Sequence, residues 1–162
     1  AAWLGKRRQG GYVREVLSHF VYLTESVFGP LSLEQAMVRY PDGIDGEAAE
    51  SHVYADLTCN GVPVSVAGGV GGTGPDRIEF TVWGQKQSCR LDDWYTAYLS
   101  DGQAWRPAVT ESDDLKGDIR QAGRVRQLDN LAQFMRGEAH ELPDFRAALS
   151  VQQIIERILD PD

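Results

Sequence analysis

Two side chains capable of acid–base work stand four residues apart near the start of the chain: Glu15 and His19, in the stretch YVREVLSHFVYLTESVF of residues 12–28. An imidazole titrates near neutral pH, and a carboxylate one helical turn earlier can orient it or raise its pKa. The pair could therefore take a proton from a hydroxyl, with His19 as acceptor and Glu15 as its partner. Tyr22 adds a phenol that can donate a hydrogen bond or close a pocket. A second pattern is GVGGTG, residues 69–74, which fits the G-x-G-x-x-G form of loops that cradle a dinucleotide pyrophosphate. Both have bland counterparts, because a histidine on the polar side of a helix is commonly just solvated and a glycine run commonly just turns the chain.

The elements decide between these readings. Over residues 12–28, Val13, Val16, Leu17, Phe20, Thr24 and Val27 recur at helical spacing, and Gly29-Pro30 ends the pattern. The spacing predicts an amphipathic helix with Glu15, His19, Tyr22 and Ser26 together on the side away from the apolar stripe, facing solvent or a second domain. The middle of the chain then changes period. LSLEQAMVRYP, SHVYADLTCNG, VPVSVAGG, DRIEFTVWG, QSCRLDDWYTAYL and QAWRPAV are short stretches rich in β-branched and aromatic residues, divided by Pro41-Asp42-Gly43, Asn60-Gly61, the glycine run and Gly84. Asn60-Gly61 marks a two-residue hairpin, because both positions of such a turn need positive φ.

The last third returns to helical spacing. Ile119, Ala122, Val125, Leu128, Ala132 and Met135 form one apolar face that closes at Gly137, and Phe145, Ala148, Leu149, Ile155, Ile158 and Leu159 form another. Asp144 is placed to cap the final helix, and Glu111-Ser112-Asp113-Asp114 reads as an acidic loop. Helix, five to seven strands and two helices give an α+β fold: a mostly antiparallel open sheet with helices packed on one face. The other face is left for an oligomer partner or a further domain.

This order removes the nucleotide from residues 69–74. The dinucleotide fingerprint works when a strand delivers its glycines to a helix N-terminus, where free amides and the helix dipole meet the phosphates. Here the glycines are followed by Pro75-Asp76-Arg77-Ile78-Glu79-Phe80-Thr81-Val82, an alternating strand pattern. Asp92 and Asp93, near the distance of a ribose-binding acid, follow a hairpin-like strand with no crossover helix. The run is read as a strand connection.

Composition narrows the partners. A chain of 162 residues with 42% apolar content can bury a core as one domain. Its 24 acidic against 16 basic residues give a net charge of −8, which repels phosphate backbones and anionic membranes. The apolar runs are too short for a bilayer span and nothing resembles a signal peptide. Cys59 and Cys89 lie without a CxxC or matched histidines, so no metal site is expected and they read as reduced thiols of a cytoplasmic protein. The start at Ala1-Ala2-Trp3, without methionine, suggests an upstream segment.

GGYVREVLSHFVYLTESVFGP, residues 10–30, resembles the opening of the C-terminal domain of Gfo/Idh/MocA oxidoreductases, where a glycine pair leads into a helix bearing an acidic residue and a histidine four positions later. Gly10 and Gly11 match the glycine pair and His19 the histidine. Glu15 and Tyr22 stand where the family usually has Asp. Phe80-Thr81-Val82-Trp83-Gly84 resembles the family's strand ending in glycine, and LPDFRAALSVQQIIERIL resembles its closing helix.

The resemblance implies a domain organisation with residues 1–11 as the linker from a missing N-terminal Rossmann domain, and residues 12–162 as a single substrate-binding and oligomerisation domain. It implies a parent enzyme that moves hydride between NAD or NADP, held by the Rossmann domain, and a hydroxyl carbon of a sugar, inositol or related diol. His19 and Glu15 become the catalytic candidates, Tyr22 a substrate contact, and no cofactor-binding residue is expected in this chain. Expected partners are the small-molecule substrate, the Rossmann domain and further copies of the chain through the sheet face. The alternative is a non-catalytic sheet domain that binds a small ligand or serves oligomerisation, which the Glu15 and Tyr22 departures favour.

The remaining polar and aromatic residues are given structural readings. Lys6, Arg7 and Arg8 solvate the linker or, more weakly, meet an anionic ligand; His52 and His140 are isolated; Trp83, Trp94, Tyr95, Tyr98 and Trp105 are expected to fill the sheet's core or its dimer face.

Overall fold

The computed structural model describes residues 2–41, 46–108 and 119–160. The acidic loop at Glu111-Ser112-Asp113-Asp114 and the turn residues Asp42 and Gly43 lie outside them. Element order follows the sequence reading: a 3-10 turn (Ala2–Gly5), a π-helical turn (Val13–Leu17) running into α1 (Ser18–Phe28), then β1 (Leu31–Arg39), β2 (His52–Cys59), β3 (Val62–Gly69), β4 (Glu79–Val82), β5 (Ser88–Asp92), β6 (Thr96–Ser100), β7 (Arg106–Pro107), α2 (Ile119–Met135) and α3 (Phe145–Leu159). Every ladder is antiparallel. The α+β class is as expected, with the strands divided into a three-stranded sheet, β1-β2-β3, and a four-stranded sheet, β4-β5-β6-β7.

The chain falls into two compact units, Ala1–Thr73 with Pro143–Asp162, and Gly74–Leu142. The first holds the core. Val53, Ala55, Leu57 and Cys59, every second residue of β2, are buried against Val13, Leu17 and Val21 and against Ile154, Ile155, Ile158 and Leu159 of α3. Period two on the strand thus meets period 3.6 on the helices, and both helices cover one face of the sheet as expected. A register break between Leu33 and Gln35 lets β1 do the same. LSLEQAMV carries two consecutive polar residues, Glu34-Gln35, and a bulge there keeps Leu31 and Leu33 on the same face as Ala36 and Val38.

The turns follow their residues. Asn60 and Gly61 sit at φ 50° and 80°, the two positive values a tight hairpin needs. Asp144 caps α3 as predicted, its Oδ1 accepting from the amides of Arg146 (3.0 Å) and Ala147 (2.8 Å). One stretch read as a single strand, QSCRLDDWYTAYL, is a hairpin. Asp93 and Trp94 take φ 49° and 72° at its turn, positions where no glycine announces the reversal.

Exposure sharpens three further readings. Phe145 and Leu149, placed on the apolar face of α3, are 96% and 57% exposed, and burial falls on the second half of the helix. On α2, Val125, Leu128 and Met135 are all exposed. Of the aromatic set read as filling the sheet's core or its dimer face, Trp83 and Tyr95 are exposed, Trp83 pairs with Trp105 at 5.8 Å, and Arg90 stacks on Tyr98 and Trp105 at 5.0 and 4.8 Å. A guanidinium on aromatic faces holds these rings at the sheet surface.

Candidate functional site

The site is built around the start of the first helix. Gly10 comes so close to the carbonyls of Trp3 and Leu4 that a Cβ there would overlap them. Gly11 takes φ +99°, and a Cβ on it would run into the carboxylate of Glu50. The glycine pair is therefore required twice, for backbone approach and for a left-handed conformation. What it makes room for is Glu50, only 2% exposed, whose Oε1 accepts from the amide of Val13 at 2.8 Å. A carboxylate on a free N-terminal amide satisfies an orphan donor and meets the positive end of the helix dipole.

The helix opens with a π turn. The amide of Ser18 reaches back to the carbonyl of Val13, five residues earlier, and regular α-helix begins only at Ser18. Where hydrogen bonds run i to i+5, a spacing of four falls short of one turn, so Glu15 in the π segment and His19 in α1 are not related by ordinary α-helical geometry. His19, Tyr22 and Ser26 keep the α spacing. Glu15, His19 and Ser26 are exposed and Tyr22 is half-buried, while Val13, Leu17, Val21 and Thr24 are buried on the opposite side. The helix does present the candidate residues outward.

Three contacts hold this helix in place. Arg14 binds Glu156 of α3 through two parallel hydrogen bonds, Nε to Oε1 at 2.9 Å and a terminal nitrogen to Oε2 at 2.8 Å. Its other terminal nitrogen donates to the carbonyls of Arg7 (2.8 Å) and Gly10 (3.2 Å). Glu25 accepts from the Ser150 hydroxyl at 2.9 Å farther along the same flank. The paired charges move together: the hydrogen bond to Glu156 raises the pKa of Arg14, and Arg14 lowers that of Glu156.

Tyr12 lies beside the same buried carboxylate. Its ring covers Gly68 of β3, where a Cβ would come within 2.8 Å of Cε2, and its hydroxyl is buried beside the backbone of Val53. Burial, and after it the charge of Glu50, push the phenol up from 10.0 to about 12. The folded state therefore favours the protonated phenol. The stability this contributes is present below pH 10 and is lost as pH rises from about 10 through about 12. Tyr12→Phe is expected to flatten that alkaline loss in a melting series, by about 1 kcal/mol once screening on the open side of the ring is allowed for. An unchanged slope would contradict the assignment.

The basic cluster binds within the chain. Lys6 pairs with Glu47 at 2.6 Å, and Arg7 lies 3.7 Å over the ring of Tyr40. Residues 2–11 are also tied down by backbone bonds from Arg7 to Glu47 (2.7 Å) and from Ala49 to Gly5 (2.9 Å). His52 contacts Ser51, and His140 accepts from the amide of Leu142 with its ring edge-on to Phe134. Cys59 and Cys89 are free thiols. Among the described residues no group of three His, Cys, Asp or Glu could hold a metal ion.

Residues 69–74 join β3 to β4. The next element after Gly74 is β4, so no helix N-terminus follows the glycines. Sequence reasoning missed Glu50, which sits in an ordinary AAES segment before β2 and carries no local mark of burial. The one available signal was indirect, since paired glycines at a helix start imply something close by.

No protein-family model matches the chain, and no curated protein matches it. Solved structures do. A dehydrogenase, MviM, from Clostridium difficile superposes with a TM-score of 0.72 at 8% identity, over 93% of this chain and 48% of its own. An oxidoreductase from Agrobacterium radiobacter, solved with NAD+, L-tartaric acid and magnesium, gives 0.68 at 10% identity over 99% and 50%. The WlbA dehydrogenase from Bordetella pertussis, solved with NADH and UDP-GlcNAcA, gives 0.63 at 21% identity over 99% and 49%. The chain thus spans about half the length of these proteins, and its fold is that of the C-terminal part of Gfo/Idh/MocA-type oxidoreductases.

Proposed function

We propose that the chain is the substrate-binding and oligomerisation half of an NAD(P)-dependent oxidoreductase acting on a sugar, inositol or related hydroxyl compound. The observation that carries this reading is the outward face of the glycine-pair helix, with Glu15, His19 and Tyr22, in a chain that shares its fold with half of several oxidoreductases. Two of those neighbours were solved with a nicotinamide cofactor, one together with a nucleotide sugar and one with a hydroxy acid. Both companions carry hydroxyl carbons of the kind a hydride-transfer enzyme oxidises or forms.

In this reading the cofactor is held by a nucleotide-binding domain outside residues 1–162, and supplies the hydride chemistry there. The chain's own part is proton handling. His19 accepts the proton of the substrate hydroxyl, Glu15 supports the imidazole, and Tyr22 donates a hydrogen bond to a second oxygen of the substrate. Oligomerisation is assigned to the face of β1-β2-β3 opposite the helices. That face forms a concavity of about 500 Å³ lined by Gln35, Met37, Tyr54, Asp56, Ser65 and Ala67, with Met37 and Tyr54 half exposed. Turnover with and without His19, in an enzyme that contains this chain, tests the assignment.

A further inference from the structure

The buried carboxylate of Glu50 has no part in the chemistry above, yet it is costly to keep. It is 2% exposed, its Oε1 holds a single backbone amide, and its Oε2 has no hydrogen-bond partner among the described residues. A buried carboxylate with one donor is under-satisfied, and a core built for stability alone would replace it with an apolar side chain. The chain instead provides for it with Gly11, whose own left-handed backbone is also unfavourable for any other residue.

What Glu50 touches suggests why. Its donor, Val13, is the first residue of the π turn, and Val13 also supplies the carbonyl that Ser18 reaches over five residues. A π turn is rare and occurs mostly as a single turn within an α-helix, frequently at a functional site. Glu50 fixes the N-terminal end, and Arg14, one residue later, fixes the flank against Glu156. Between these anchors and the start of α1 lies Glu15, so the angle between Glu15 and His19 depends on whether the turn stays π.

We propose that Glu50 is a positioning residue: it locks the π turn of Val13–Leu17 and thereby sets Glu15 against His19. Its functional meaning rests on the reading of His19 and Glu15 as substrate groups, but its test does not use turnover. If His19 proved inessential, the structural assignment would still stand or fall by itself.

The test is NMR with amide hydrogen exchange on the 162-residue chain, comparing the native protein with Glu50→Gln and Glu50→Ala. Glutamine keeps an oxygen acceptor and loses the charge; alanine loses both. The Val13 amide is expected to exchange about tenfold faster in Glu50→Gln and about a hundredfold faster in Glu50→Ala, following the loss of charge assistance and then of the bond. The Glu15 amide and the His19 ring resonances should shift in both, while signals of β1–β3 stay in place. A purely structural role would lower the melting point and leave the native His19 resonances where they were. Unchanged Val13 protection and His19 resonances in a folded variant overturn the proposal, and should Glu50→Ala fail to fold, Glu50→Gln decides it alone.

Discussion

Replacing His19 with alanine, in an oxidoreductase that contains this chain, is expected to lower kcat by about 10²–10⁴-fold, the usual contribution of a positioned general base. Glu15→Gln should cost less, because glutamine can still hold the ring while losing the charge. Tyr22→Phe should raise KM more than it lowers kcat, as removal of a substrate contact does. Steady-state kinetics over pH on the three variants separates these roles. Turnover unchanged by His19→Ala would contradict the catalytic assignment and leave the chain as a ligand-binding or oligomerisation domain.

Gly11→Ala is expected to be strongly destabilising. A side chain at φ +99° costs about 1–2 kcal/mol by itself. The new Cβ also displaces the Glu50 carboxylate, so the Val13 amide loses its acceptor and a buried charge loses its donor, for about 1–3 kcal/mol more. A total of about 3 kcal/mol lowers the melting temperature of a chain this size by roughly 10 °C. Gly72→Ala is the control, because a Cβ at Gly72 meets nothing within 4 Å. Equal melting points for the two variants would mean that the glycine pair is a sequence coincidence rather than a packing requirement.

The sequence made the elements legible wherever the local chemistry was unambiguous. Alternation in HVYADLTC, the Asn60-Gly61 turn and the Asp144 cap each rest on neighbours within a few residues, and each appears as read. The outward placement of His19 was legible for the same reason, since it follows from the apolar stripe beneath it. The π turn was not, because VREVL has the same periodicity in either helix and its choice depends on Glu50, 37 residues away from Val13. Glu50 itself was hidden by its type: glutamate in a polar segment reads as solvated, and only the tertiary fold shows a carboxylate under a glycine. The β5–β6 reversal escaped for a related reason, its positive φ values falling on Asp93 and Trp94 rather than on glycine.

The exposed rows on α2 and on the first half of α3 show the limit of periodicity in another way. Val125, Leu128 and Met135 have a helical repeat but are exposed, and Phe145 is almost fully so. Periodicity identifies a face that can be buried. It does not name what buries it.

In the proposed division of labour this chain handles the hydroxyl substrate of a hydride-transfer enzyme, and the dinucleotide is bound elsewhere. The most direct test of that division is a titration of the 162-residue chain with NADH and NADPH, followed by cofactor fluorescence and by the amide signals of residues 69–74. No saturable change is expected in either, because the glycines lead into β4 and offer no helix N-terminus to the pyrophosphate. Tight, saturable binding that shifts residues 69–74 would contradict that division, and would return GVGGTG to the role its spacing imitates.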